Sequence, residues 1–323
     1  MGLALSALQS FEREGFVVVR NCLSPSEDLQ PIIDEYAEVL DRVAVCLHEK
    51  GEIASAYADL PFDKRAIAIT KDKGFLDPQP FDISFPTGAD LTPETEFHFG
   101  PAAFALLRNT RLLDAVESII GPEITSNPIQ HVRIKVPERY IDKDRRGGLG
   151  GTTVWHQDNG VAHEEADNTE MLTVWFPLTE ASERSGCLTV VPGSFRGGLQ
   201  PHCPVPGRGS EIPEALIPGE KVQSVPMSPG DVLFMHRRCM HASLSNLSDH
   251  VRWSLDIRYH PTGSPSGRSF LPGFVARSRS NSSSELQDHA EWRQSWLDAR
   301  DKLLASVAQP KAHRWDGKHE LCA

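Results

Sequence analysis

A mainly β sandwich or barrel, flanked in the chain by helices, is predicted by three observations. From residue 124 onward the sequence breaks into short β-rich runs with turn punctuation: ITSNPIQHVRIKV, TTVWHQD, MLTVWFPL, CLTVVPGSF, VQSVPM, DVLFMH, HASLSN and VRWSLDIRYH. Ahead of them the apolar spacing is helical. Behind them Trp292, Trp296, Ala299 and Leu303 recur at helical spacing, as a packing stripe. Short strands in unbroken succession argue for a sandwich or barrel and against βαβ units.

Taken in order, residues 4–13 read as a short amphipathic helix ending at Gly15, and Phe16–Val19 as a strand. Ser24-Pro25-Ser26-Glu27 has the capping chemistry of a second helix, which runs to about residue 49. Residues 71–101 are rich in Pro, Gly, Asp and Phe without a sustained period and read as a long loop. Helical pattern returns from Pro101 and stops at Gly121-Pro122. Beyond the strands, the Ser- and Arg-rich residues 276–287 read as irregular.

The length of 323 residues leaves one or two domains open, while 39% hydrophobic and 24% charged residues describe a globular chain with a substantial core. A formal charge of −11 argues against nucleic acid as a partner, because phosphate neutralisation needs clustered Lys and Arg. The one basic run, Lys143-Asp144-Arg145-Arg146, leads into Gly-rich sequence and reads as a solvated loop. No stretch reaches the roughly 20 apolar residues of a membrane span, and the N-terminal MGLALSALQSFERE turns acidic too soon for a signal peptide. A cytoplasmic protein is expected, with no membrane partner. Cys22, Cys46, Cys187, Cys203, Cys239 and Cys322 form no CxxC, so reduced thiols are expected and no disulfide framework.

The chemistry centres on Val154-Trp155-His156-Gln157-Asp158. In an extended chain, residues two apart share a face with Cα atoms roughly 6.6 Å apart, so His156 and Asp158 could reach one metal ion. On a helix they would diverge by about 200°. A two-residue motif recurs by chance in a chain with 13 His, so the pair needs support. His241, beyond the turn Ser228-Pro229-Gly230-Asp231 and the apolar run from Val232 to Met235, is the best third ligand. Two His and one carboxylate leave positions on an iron open for a bidentate co-substrate and O₂.

Support comes from VRWSLDIRYH, in which Val251, Trp253, Leu255, Ile257 and Tyr259 alternate with Arg252, Ser254, Asp256 and Arg258. A dicarboxylate that chelates iron at one end needs a cation for the other, and the planar guanidinium of Arg252 suits it. Asp256 and Arg258 are read as a structural ion pair at the far end of that strand. His131, His163 and His236 are read as satisfied histidines and not as ligands.

HxD, a distal His, then H-A-S-L-S-N-x₅-R resembles the phytanoyl-CoA dioxygenase family of Fe(II)/2-oxoglutarate oxygenases, including its eleven-residue spacing from distal His to Arg. G-C-L-T-V-V-P-G-S at 186–194 and E-x-x-G-F-V-V-V-R at 12–20 extend the likeness over nearly the whole chain. The resemblance implies a double-stranded β-helix, a cupin-like jelly-roll barrel with flanking helices. It implies a single domain: a helical part to about residue 122, a jelly-roll core at about 123–262, and a C-terminal loop and helix. It also implies Fe(II), with 2-oxoglutarate and O₂ as co-substrates, held by His156, Asp158 and His241. Arg252 would pair with the 2-oxoglutarate tail, helped by the Ser243 hydroxyl. Lys135 resembles a position contacting the oxo-acid end, and Thr173 a polar strand residue of the same pocket; a solvated lysine and a β-branched filler are the plain alternatives.

The expected reaction is hydroxylation of a small-molecule C–H bond with release of succinate and CO₂. Because Asp158 is present, a halogenating variant is disfavoured. Desaturation, epimerisation and ring formation use the same site and stay open. Two rivals stand beside this reading: a non-catalytic cupin-like binding barrel, which has no need of Arg252, and a zinc hydrolase with the same ligands. Loops at about 71–101, 138–153 and 196–220, carrying Phe75, Phe81, Phe85, Phe97, His98 and Phe99, are expected to define an apolar or mixed substrate, such as a secondary metabolite or an acyl conjugate. Gly147 to Gly151 is expected to be a lid or a plain loop. A homodimer is left open.

Overall fold

The computed structural model describes residues 2–86, 90–146, 150–205, 209–307, 310–311 and 314–322. The N-terminal part comprises α1 (Leu5–Glu14), β1 (Phe16–Val19), a π-turn at Pro25–Leu29, α2 (Gln30–Glu49), α3 (Phe62–Lys73), α4 (Pro101–Leu107) and α5 (Thr110–Ile120). There follow β2 (Glu123–Lys135), the one-turn α6 (Asp158–Val161), β3 (Leu172–Pro177), β4 (Leu188–Val190), β5 (Cys203–Val205) and β6 (Gly209–Glu211). The chain continues through β7 (Gln223–Val225), β8 (Val232–His236), β9 (His241–Ser243), β10 (Arg252–Pro261), β11 (Phe274–Ser278) and α7 (His289–Ala305).

Two antiparallel sheets form the barrel. The larger has the order β1-β8-β3-β10-β2-β11 and the smaller β7-β4-β9. Alternation along each strand decides what faces what. Val132 and Ile134 of β2, Val174 and Phe176 of β3, Val232 and Phe234 of β8, and Trp253, Leu255 and Ile257 of β10 join the helices in one large core. Trp175, Leu233 and Met235 point the other way and meet Leu188, Val190 and Val225 of the small sheet. Both faces of β10 are therefore buried, and its polar residues lie inside the barrel, not in water.

Several expectations are corrected. The helical stretch from Pro101 to Ile120 is two helices, because Asn109 accepts from the Arg111 and Leu112 N–H groups and caps a new start. Residues 276–287 are not wholly irregular, since Phe274–Ser278 adds an edge strand to β2. The reduced-thiol expectation fails for Cys203 and Cys322, which form a disulfide joining β5 to the C-terminal tail. Sequence spacing carries no information about that pairing. Phe81, Phe85 and Phe97 are core residues, Phe85 and Phe97 packing on Trp296 and Phe81 on Tyr36. His98 is tied to Glu35 at 2.7 Å. Phe75, Phe97 and Phe99 do line a cavity of about 1300 Å³ between α2, the 73–99 segment and α7, but no residue of the metal trio borders it. Gly147, Gly148 and Leu149 lie outside the described residues.

The Trp stripe is the keel of the C-terminal helix: Trp292, Trp296, Ala299 and Leu303 are all buried. Trp296→Ala removes the ring on which Phe85 and Phe97 pack, and a loss of about 3–5 kcal/mol is expected. Urea unfolding should show it as a lower midpoint at constant slope.

Candidate active site

His156 and His241 are locked together before any side chain is considered. Each backbone N–H donates to the other's carbonyl at 3.0 Å, an antiparallel bridge that adds the HxD segment to the edge of β9. The chain stays extended through Gln157, and Asp158 then opens α6. The expected strand over 152–158 is thus one bridge and a turn, which suffices to bring both side chains to one face. The His156 and His241 rings lie 4.1 Å apart at their centroids.

The ring tautomers follow from two short contacts. His156 Nδ1 lies 2.8 Å from the Val154 carbonyl, and His241 Nδ1 lies 3.0 Å from the Cys239 carbonyl. A carbonyl only accepts, so each Nδ1 carries the proton and each Nε2 keeps its lone pair. Burial, reinforced by His241, pushes the His156 pKa down to about 3, so its imidazole is neutral at working pH. Nε2 of His156 is 3.8 Å from Asp158 Oδ1, and Nε2 of His241 is 4.0 Å from Asp158 Oδ2. Among the described residues this is the one His/Cys/Asp/Glu trio placed to hold a metal, with all three donors within 4.8 Å of one another.

Asp158 has no exposed side-chain surface. Burial alone would push its pKa up. The Arg258 guanidinium on Oδ1, the two imidazoles, and the Thr173 hydroxyl on Oδ2 instead hold it well below the usual carboxylate range. Arg258 is the residue that sequence reasoning missed. It pairs with Asp256 as expected, at 3.3 Å, but it also donates to Asp158 and to the Ile129 carbonyl at 3.0 Å. Its even spacing from Arg252 placed it on the same strand face, a signal available in the sequence. Thr173 is opposite Arg258 in the β3–β10 register, and its hydroxyl donates to Asp158 Oδ2.

At the other end of β10, Arg252 faces Lys135 across the β2 ladder. Lys135 Nζ donates to Ser243 Oγ at 2.8 Å and to the Leu244 carbonyl at 2.7 Å. Ser243 Oγ also accepts from the Thr153 N–H at 2.9 Å, so its own proton is free to donate elsewhere. Arg252 is wholly buried over the Trp175 ring and donates to Ser254 Oγ, while its Nε and Nη2 have no partner among the described residues. Burial, then repulsion from Arg133, pushes its pKa down to about 9. Burial and the adjacent Arg252 hold Lys135 well below the usual lysine range. A carboxylate would supply what both lack. His131, His163 and His236 are satisfied elsewhere, by Asp82, by either Arg268 or the Lys311 carbonyl at the one nitrogen Nε2, and by the Arg238 N–H.

The sequence pattern of the family described as Phytanoyl-CoA dioxygenase (PhyH) matches residues 11–254. The chain belongs to this family. It is a non-haem Fe(II)/2-oxoglutarate-dependent dioxygenase. It is 26% identical over 267 residues to phytanoyl-CoA dioxygenase domain-containing protein 1 of Bos taurus, covering 77% of this chain and 87% of that protein. It is 23% identical to a probable phytanoyl-CoA dioxygenase of Caenorhabditis elegans, covering 80% and 76%. The fold is similar to that of the non-heme monooxygenase ThoJ in its apo form, with a TM-score of 0.57, 18% identity, and coverage of 92% and 96%. The jelly-roll expectation is borne out. No helix among the described residues is long and apolar enough to cross a membrane.

The donor set fits the iron of this family, and the unpartnered N–H groups of Arg252 fit a dicarboxylate. Arg258→Met is expected to leave the buried Asp158 charge without its cation and with the Thr173 hydroxyl as its remaining hydrogen-bond donor, lowering the stability of metal-free protein by about 3–5 kcal/mol. Saturating Co(II) should recover part of that loss, which thermal denaturation with and without the ion will read.

Proposed function

We propose that His156, Asp158 and His241 ligate Fe(II), that Arg252, Lys135 and Ser243 bind 2-oxoglutarate, and that the enzyme hydroxylates a C–H bond of a small molecule. The observation that carries this reading is the wholly buried Arg252 with two nitrogens unpartnered, on the same strand face as the residue that grips Asp158. A buried guanidinium without an anion is costly, and a carboxylate can take both free donors at once. When bound, iron with 2-oxoglutarate and O₂ supplies the oxidising power, and the co-substrate leaves as succinate and CO₂.

The residues divide the remaining work. The Val154 and Cys239 carbonyls aim the two Nε2 lone pairs, and Arg258 and Thr173 keep Asp158 ionised and oriented. Lys135 and the Thr153 N–H fill the lone pairs of Ser243, turning its proton toward a further acceptor. A carboxylate in the third ligand position leaves no vacancy there for chloride, which favours hydroxylation over halogenation. A zinc hydrolase would have no use for Arg252.

Anaerobic titration of metal-free protein with Fe(II) and 2-oxoglutarate is expected to raise the weak visible charge-transfer band of the chelate. His156→Ala and Asp158→Ala should abolish both band and succinate formation; full turnover in either would sink the assignment. Arg252→Leu should raise the KM for 2-oxoglutarate by roughly 10- to 150-fold, the equivalent of the 1.5–3 kcal/mol typical of a hydrogen bond to a charged group, with iron binding retained.

A further inference from the structure

The turn that carries Asp158 is too short to hold itself. α6 is four residues long, and an isolated single turn has no stability in water, so what packs on it decides where the carboxylate points. From within the barrel side, the Asn159 N–H donates to the Arg237 carbonyl at 2.9 Å, and the Gln157 side chain ties together the carbonyls of Gly198 and Arg238 and the Gln200 N–H. From outside, the turn is covered by residues more than 150 positions away.

Trp315 Nε1 donates to the Gly160 carbonyl at 2.7 Å, and its ring stacks on His202 with centroids 5.1 Å apart. His202 in turn accepts the Gln157 N–H on Nε2 at 3.0 Å and is tied through Nδ1 to the Gln200 carbonyl at 2.8 Å. Gly160 lies so close beneath that ring that a Cβ there would meet it at 2.3 Å. Arg314 pairs with Asp167, donates to the Asn159 carbonyl at 3.3 Å, and lies over the Trp315 ring. Seven residues beyond Trp315 the chain is fastened by Cys203–Cys322, and Cys203 directly follows His202. A segment tethered by this disulfide beside His202 meets the turn at a high effective concentration, so a few modest contacts can keep it seated.

We propose that residues 314–322 are a strap that positions Asp158 for metal binding, with Trp315 as the positioning residue and Cys203–Cys322 as its tether. This rests on the reading of His156, Asp158 and His241 as the iron site. The strap touches neither the metal donors nor Arg252; it acts through Gly160, Asn159 and His202. Loosening it lets the turn wander, and the site loses iron before it loses its fold.

The test is anaerobic Fe(II) titration of the full-length protein at saturating 2-oxoglutarate, read by the visible band, beside thermal denaturation. Trp315→Ala and Cys203→Ser should each weaken Fe(II) binding by about 10-fold, the lower end for a group that supports a metal ligand, with the KM for 2-oxoglutarate unchanged. The double variant should be no weaker than the worse single one, because both act through one strap. Both positions are half-buried and belong to neither apolar core, so a change in fold is not expected, and the melting temperature checks it. Fe(II) affinity equal to wild type in either single variant overturns the strap, as does an additive double variant. Absence of the band in the wild-type protein overturns the iron-site reading itself, a different failure.

Discussion

An ionised carboxylate with no contact with water is the constraint on which the rest of this structure depends. In the proposed role of iron ligand Asp158 must be charged, and a lone buried carboxylate would take up a proton instead. Arg258 on one oxygen and Thr173 on the other remove that option. Arg258 is itself buried, so it needs Asp256 and the Ile129 carbonyl, and Asp256 is shared in turn with Arg133 at 3.4 Å. One functional charge thereby dictates a polar network across β2, β3 and β10.

A sheet with two buried faces can hold such a network because strand alternation keeps it apart from the apolar core. Every second residue of β10 feeds the helix-side core, and the residues between them carry Arg252, Ser254, Asp256 and Arg258 into the barrel. The helices are thus a cover that lets the large sheet turn its charged face inward. At that boundary Trp253 stacks on Phe62 with centroids 4.4 Å apart and meets Tyr36 edge to face at 5.5 Å.

Much of this was legible from residue order alone. Strand alternation in VRWSLDIRYH, the two-residue spacing of His156 and Asp158, and the eleven-residue step to Arg252 are local facts, and the structure keeps each. What could not be read is what depends on distant partners. Arg258 gave its spacing but not its partner, a carboxylate one hundred residues earlier. α3 was missed because its buried set includes Arg65 and Thr70, which blur an apolar stripe. Thr70 is satisfied by the Ala66 carbonyl one turn back. The Phe residues of the 71–101 segment invited a substrate-facing reading, yet aromatic content alone does not say which way a ring points. Cys203 and Cys322 meet only because the tail returns across the barrel.

The carbonyl contacts at Val154 and Cys239 have one more consequence. They are the protein's own bonds, so the imidazoles hold their aim whichever ion arrives. A cage preset in this way does not choose its metal by reshaping around it, and nitrogen and carboxylate donors follow the usual first-row order, in which Ni²⁺, Cu²⁺ and Zn²⁺ bind more tightly than Fe²⁺. If His156, Asp158 and His241 are the ligands, this trio would not by itself reject zinc or copper, and availability of the ion would have to favour iron.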